Sequence, residues 1–141
     1  MSFEHKETIS GSFGEVWIGD YYVAEATNCQ NEWAWEYAEV TKARKLGTYQ
    51  KLVGGSGSGS LTINKINSFA LKQAYEMFST GKQIEATIIV KIDDPNSKGM
   101  ERVALKNVNF EQAFLTSFTH KEVVTEEYSY TFAEFEILDT I

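Results

Sequence analysis

Cysteine and proline occur once each, at Cys29 and Pro95. A lone cysteine excludes an internal disulfide and suits synthesis in a reducing cytoplasm. With one proline and ten glycines, glycine does most of the turn-making. No apolar run approaches the length of a membrane span, and none near Met1 has the make-up of a signal peptide. The net charge of −7 argues against a general nucleic-acid binder. A local absence is more informative. From Val40 to Tyr75 there is no acidic residue, yet there are six basic ones: Lys42, Arg44, Lys45, Lys51, Lys65 and Lys72.

What is present points to a folded chain. Hydrophobic residues make up 43% and aromatics 13%, so disorder throughout is excluded, and 141 residues suit one domain with a real core. Outside the acid-free block the chain holds seven bases and twenty acids, a net charge of −13. Two blocks of opposite sign can attract each other within a molecule or between copies.

The central stretch, residues 41–60, begins basic and ends as a Gly/Ser repeat, Gly54-Gly55-Ser56-Gly57-Ser58-Gly59-Ser60. A twenty-residue structureless segment in a compact domain is either functional or disordered. Composition leaves two readings, a flexible linker or an arm that orders against something else. Residues 1–12 have no clear pattern and read as an N-terminal arm or a frayed end. Glu15–Ile18 and Tyr21–Ala26 read as a hairpin across Gly19-Asp20. Trp33, Trp35 and Tyr37 alternate with Ala34, Glu36 and Ala38, which predicts a strand with one aromatic face. Leu61–Ile66 is predicted as a strand. Asn67 or Ser68 can cap a helix over residues 68–80, with Ala70, Ala74, Met77 and Phe78 on one face and Gly81 as the stop. Ile84–Ile92 alternates cleanly, residues 94–99 form a turn, and Arg102–Lys106 alternates again. Asn107–Phe110 continues that strand or bends it. Ala113–Phe118 is read as a further strand. Tyr128, Tyr130 and Phe132 share a face, but Phe135 and Ile137 sit out of phase, which predicts a bulge near Ala133. The fold class is mainly β: an antiparallel sandwich or open, split barrel with one flanking helix and a long extended loop.

Catalytic and ligand motifs are missing. The Gly/Ser run lacks the Gly-Lys-Ser/Thr ending of a phosphate loop, and a strand follows it where a dinucleotide fingerprint needs a helix. His5 and His120 are far apart in sequence, and Cys29 has no neighbouring ligand. Asp94, Asn96 and Gly99 mimic the start of a calcium loop, but Lys98 and Leu105 occupy ligand positions. There is no Gly-x-Ser-x-Gly elbow. No cofactor, metal or enzyme activity is expected. The Trp33, Trp35 and Tyr37 stripe leaves a β-sandwich carbohydrate-binding module as an alternative to core or subunit contact.

An ordered series of short motifs resembles phage tail tube proteins of the PBSX type. It comprises Thr8–Gly11 with Gly14–Val16, Gly55–Thr62, Lys65–Phe69 leading into a helix, Glu101–Leu105, Val108–Phe110, and the ending Glu126–Tyr128 with Thr131–Phe135. The series covers nearly the whole chain; the segment Trp33–Tyr37 departs from it. The resemblance implies a β-sandwich or split barrel whose six copies close into a ring. Rings stack into a tube inside a contractile sheath, with strands of all six subunits joined around the lumen. The secretion-system tube protein Hcp shares the fold, so an Hcp-like secretion-system tube protein is the alternative within this class, and R-type bacteriocins use similar tubes without DNA. Implied partners are further copies of the chain and the sheath, baseplate, tape-measure and terminator proteins, with DNA only as passing cargo. The implied location is a virion tail or tail-like particle assembled in the bacterial host cytoplasm. A long loop reaching between subunits and rings would be residues 41–60. Its expected contact residues are Lys42, Arg44, Lys45, Leu46, Tyr49, Lys51, Leu52, Gly55, Gly57 and Gly59.

Overall fold

The computed structural model describes residues 4–141. Two short 3₁₀ turns, His5–Glu7 and Gly11–Phe13, precede eight strands and one helix. The strands are β1 (Gly14–Ile18), β2 (Tyr21–Tyr22), β3 (Ala26–Val40), β4 (Tyr49–Asn64), β5 (Ala86–Ile92), β6 (Glu101–Phe110), β7 (Thr125–Phe132) and β8 (Glu134–Asp139). The helix α1 (Phe69–Thr80) lies between β4 and β5. The sheet runs β2-β1-β5-β6-β7-β4-β3, and β8 also pairs with β6. Every pairing is antiparallel. This is the mainly-β, split-barrel class that the alternation predicts.

Strand β6 joins the two halves of the barrel. Residues 101–108 pair with β5, and Arg102–Lys106 also pair with β8, whereas Asn109 and Phe110 pair with β7. The change of partner follows Asn107, whose φ of 56° is left-handed and turns the strand. Asparagine tolerates that conformation better than most residues, so the bend is written into its side chain. The phase slip near Ala133 is a second change of partner: β7 pairs with β4, and β8 crosses to β6. Between the two halves lies the core of Val16, Val23, Leu61, Ile88, Leu105, Val108, Tyr130 and Phe132. Burying one such side chain stabilises the fold by roughly 1.5–3 kcal/mol.

Local signals place α1. Asn67 Oδ1 accepts from the Phe69 N–H at 3.1 Å, and Gly81 closes the helix at a φ of 69°. The N-terminal arm is tied down over its described part. The buried Asp94 carboxylate accepts from Ser10 N–H at 2.9 Å and from Asn96 N–H at 2.8 Å, and Lys98 meets Glu7 at 3.3 Å. The turn at residues 94–99 therefore anchors the chain entry. Residues 1–3 of that arm lie outside the described residues.

Three expectations are corrected. Residues 41–60 are not one long loop: β4 begins at Tyr49 and runs through the whole Gly/Ser repeat to Asn64, leaving residues 41–48 as the connection. The strand expected at Leu61–Ile66 is the end of β4. Ala113–Phe118 forms no strand: Leu115 and Phe118 face solvent, so the run has no buried face to hold it in a sheet. Phe78 is not a packing residue of α1: it is 86% exposed, and no residue of the helix is fully buried.

Candidate assembly surfaces

The long β3–β4 hairpin has two unlike halves. Leu61 to Gly57 of β4 pair with Tyr128 to Phe132 of β7 on one side and with Cys29 to Trp33 of β3 on the other. Beyond Gly57 the β7 pairing stops, and Tyr49–Ser56 pair with β3 alone. The sheet thus extends a two-stranded arm away from the barrel.

The Gly/Ser repeat follows from this packing. Strand period two sends Gly55, Gly57 and Gly59 inward and Ser56, Ser58 and Ser60 outward. A Cβ at Gly55 would overlap the Trp33 indole, one at Gly57 the Phe132 ring, and one at Gly59 Asn31 Oδ1 and the Tyr130 ring. Large rings from β3 and β7 lie flat across β4, and only hydrogen fits beneath them. Trp33 also packs on Phe135 at 5.3 Å between ring centroids. Tyr130 donates to Asn31 Oδ1 and lies 3.7 Å from Cys29 Sγ. Burial, with the Cys29 thiol beside it, pushes the Tyr130 hydroxyl well above its ordinary range. The outward face is polar: Ser56 and Ser58 of β4, Glu32 of β3 and Thr131 and Glu127 of β7 are exposed on it.

The free arm exposes large apolar side chains. Trp35 and Tyr37 are 56% and 54% exposed, Val53 is 62% exposed, and Leu46 at the tip has no shielding at all. Arg44 holds a left-handed φ of 64°, and Lys42 Nζ sits 4.4 Å above the Tyr49 ring. Such a cation–π contact is worth about 0.5–1 kcal/mol at an exposed site.

Of the expected contact residues, the structure brings Lys42, Arg44, Lys45 and Leu46 together in the tip and sets Tyr49, Lys51 and Leu52 on the free arm. Gly55 lies at the border. Gly57 is buried inside the subunit and Gly59 half-buried under Tyr130, so these two serve intramolecular packing. The aromatic stripe is also split: Trp33 belongs to the barrel core, while Trp35 and Tyr37 lie on the arm.

Sequence reasoning missed a second feature, a groove of about 540 Å³ between α1 and the sheet. Val23, Leu61, Ile63 and Phe110 make its floor, and Ala74 and Met77 its helical wall. The buried Glu126 carboxylate lies in it. Its Oε1 accepts from the Tyr128 hydroxyl at 2.8 Å, and Oε2 stands 3.6 Å from Lys65 Nζ. Oε2 has no hydrogen-bond partner among the described residues. Burial and the Glu126 carboxylate raise the Tyr128 hydroxyl above its ordinary range. The small residues Ala70 and Ala74 on the sheet-facing side of α1 were the only sequence trace of this gap.

Among the described residues no three His, Cys, Asp or Glu side chains gather to hold a metal ion, and no helix is long and apolar enough to cross a membrane. The family model for phage tail tube protein matches residues 1–139. The chain belongs to the phage tail tube family. It is a structural subunit of a tail tube. A Bacillus subtilis (strain 168) relative, the phage-like element PBSX protein XkdM, is 27% identical over 139 residues, covering 97% of this chain and 95% of the relative. This tail tube protein shares its fold with solved injection-system components. One is the tube-terminating cap of the anti-feeding prophage, with a TM-score of 0.73 at 11% identity, covering 99% of this chain and 95% of that one. Another comes from the sheath–tube complex of an extracellular contractile injection system, with a TM-score of 0.72 at 8% identity over 94% and 92% of the two chains.

Proposed function

We propose that this tail tube protein acts as one domain that closes into hexameric rings, and that the rings stack into the inner conduit of a contractile phage tail or phage-tail-like particle. The observation that carries this reading is the outer edge of β3. It is 15 residues long, and it has no strand beside it among the described residues. Monomeric proteins blunt or cover so long an edge, because it recruits another strand. Ring closure pairs it with a neighbouring subunit and leaves no open edge around the lumen.

The polar outward face of β3, β4 and β7 suits the lumen wall. Short hydroxyl side chains and the carboxylates of Glu32 and Glu127 offer a passing polyanion nothing to hold, and like charge keeps DNA moving if DNA is the cargo. The role is structural and not catalytic. Fold neighbours from a sheath–tube complex and from the anti-feeding prophage baseplate favour the matching partners here: sheath, baseplate, tape-measure and terminator proteins, in a particle assembled in the host cytoplasm. Negative-stain microscopy of the purified protein should show sixfold rings or tubes. A protein that remains a small monomeric particle at all concentrations and salts would refute the reading.

A further inference from the structure

The segment between β6 and β7 is rich in apolar residues and is held only at its ends. Glu111 N–H donates to the Ser129 carbonyl at 2.9 Å, and Lys65 N–H donates to the Val124 carbonyl at 2.9 Å. The Phe114 ring stands edge-on to Tyr128, with centroids 5.6 Å apart. Between Leu115 and Val123 the one hydrogen bond among the described residues is local, from Glu122 N–H to the Thr119 carbonyl at 3.1 Å. That turn holds Lys121 at a left-handed φ of 66°, which is unfavourable for a residue with a Cβ. Leu115, Phe118 and Val123 are 66%, 76% and 72% exposed.

Both ends of this loop are built into the rim of the groove under α1. Gln112 and Ala113 line the groove at one end and Glu126 at the other. Phe118 is five residues beyond Ala113 and so within about 18 Å of it along the chain. The groove floor and the loop's large side chains both expose apolar surface to water, and one movement covers both. The movement breaks no backbone contact with the barrel, since residues 115–123 make none among the described residues. The polar groups agree. Glu126 is already engaged by the Tyr128 hydroxyl and by Lys65. Glu25 accepts from the Tyr21 hydroxyl at 2.8 Å through Oε1, but its Oε2 is buried without a hydrogen-bond partner among the described residues. Thr116 and Ser117 carry hydroxyl donors between Leu115 and Phe118.

We propose that residues 115–123 are a lid that closes over this groove in the free subunit, hinged at Phe114. Leu115 and Phe118 then rest on the apolar floor, and a hydroxyl of Thr116 or Ser117 turns to Glu25. A segment tethered at both rims reaches the groove without the loss of translational freedom that a separate molecule would suffer, so the chain's own loop is its occupant. The lid is a property of one subunit and does not rest on the tube reading.

The test is Leu115→Ser combined with Phe118→Ser, compared with the parent and with Phe78→Ala on α1. Side chains that stay in solvent contribute almost nothing to stability, so a loop that never closes predicts no effect. A closing lid predicts that the double variant melts about 5 °C or more below the parent. It also predicts that Nile red, a neutral apolar dye, fluoresces severalfold more with the double variant, whose groove is uncovered, than with the parent. Phe78→Ala should change neither readout. The drop in melting temperature should be the same at tenfold lower protein concentration, because the contact lies within one chain. A melting temperature unchanged to within about 1 °C, or dye fluorescence equal in parent and double variant, overturns the lid. An equal drop at Phe78→Ala overturns it too. A drop that vanishes on dilution assigns Leu115 and Phe118 to a contact between copies, and likewise overturns it.

Discussion

Two halves of a single strand show what packing adds to backbone pairing. Residues 57–64 of β4 have a strand on each side and aromatic rings over every inward glycine. Residues 49–56 belong to the same strand but have β3 alone. A two-stranded ribbon is marginal in water, whereas three strands over a core are stable. The first half is therefore part of the subunit core, and the second is an arm whose Trp35, Tyr37 and Val53 stay exposed.

The contrast can be broken most sharply at the aromatic residues. Phe132→Ala, in the packed half, should cost about 3–5 kcal/mol, and Trp35→Ala, on the arm, less than about 0.5 kcal/mol in the isolated subunit. Urea denaturation of both variants under non-assembling conditions checks this. Equal losses would mean that the arm folds back on the barrel.

Glycine replacement sharpens the same line. Gly57→Ala pushes a methyl into the buried Phe132 ring and should destabilise by roughly 1–3 kcal/mol. Gly54→Ala meets only Glu36 Oε2 at an ordinary 3.6 Å, so it should be neutral or stabilise by up to about 1 kcal/mol. Thermal melting decides the order; a Gly54 variant as unstable as the Gly57 one would remove the distinction.

Hydrogen exchange maps the boundary directly. Amides of residues 57–64 should exchange more slowly than those of residues 49–56 in the free subunit, by a factor on the order of 10². Assembly should close the gap. Uniform protection across β4 before assembly would contradict a marginal arm.

Alkaline pH acts on the packed half. The folded Tyr128 and Tyr130 hydroxyls ionise above the ordinary tyrosine range, chiefly because they are buried. The stability they contribute is fully present below about pH 10, the unfolded value. It is lost above that, as the unfolded chain ionises and the folded one resists. The urea midpoint should fall between pH 9 and pH 11, and by less in Tyr128→Phe. The smallest effect is expected at Phe78→Ala on α1. At 86% exposure it should change subunit stability by under about 0.5 kcal/mol, and a larger loss by thermal melting would place the ring in the core.

The sequence by itself determined the elements whose cause is local. Asn67 and Gly81 bound α1 because each acts on the backbone of its own turn. The alternation of Ile84–Ile92 marked β5 because a one-sided strand needs no knowledge of its partner. The phase slip at Ala133 and the ambiguity at Asn107 marked real changes of partner, since a side-chain period breaks where the chain crosses from one sheet to another. The tip cations of the candidate site were legible for the same reason: six bases without an acid is a linear fact. Only the tertiary structure decided the Gly/Ser run. Its composition is that of a flexible linker, and glycine and serine have little strand preference of their own. It becomes a strand because Trp33 on β3 and Tyr130 and Phe132 on β7 lie over it, and those rings come from positions tens of residues away in the chain. The acid-lined groove was hidden for the same reason: Glu25, Glu111 and Glu126 meet only when three separate elements pack around α1.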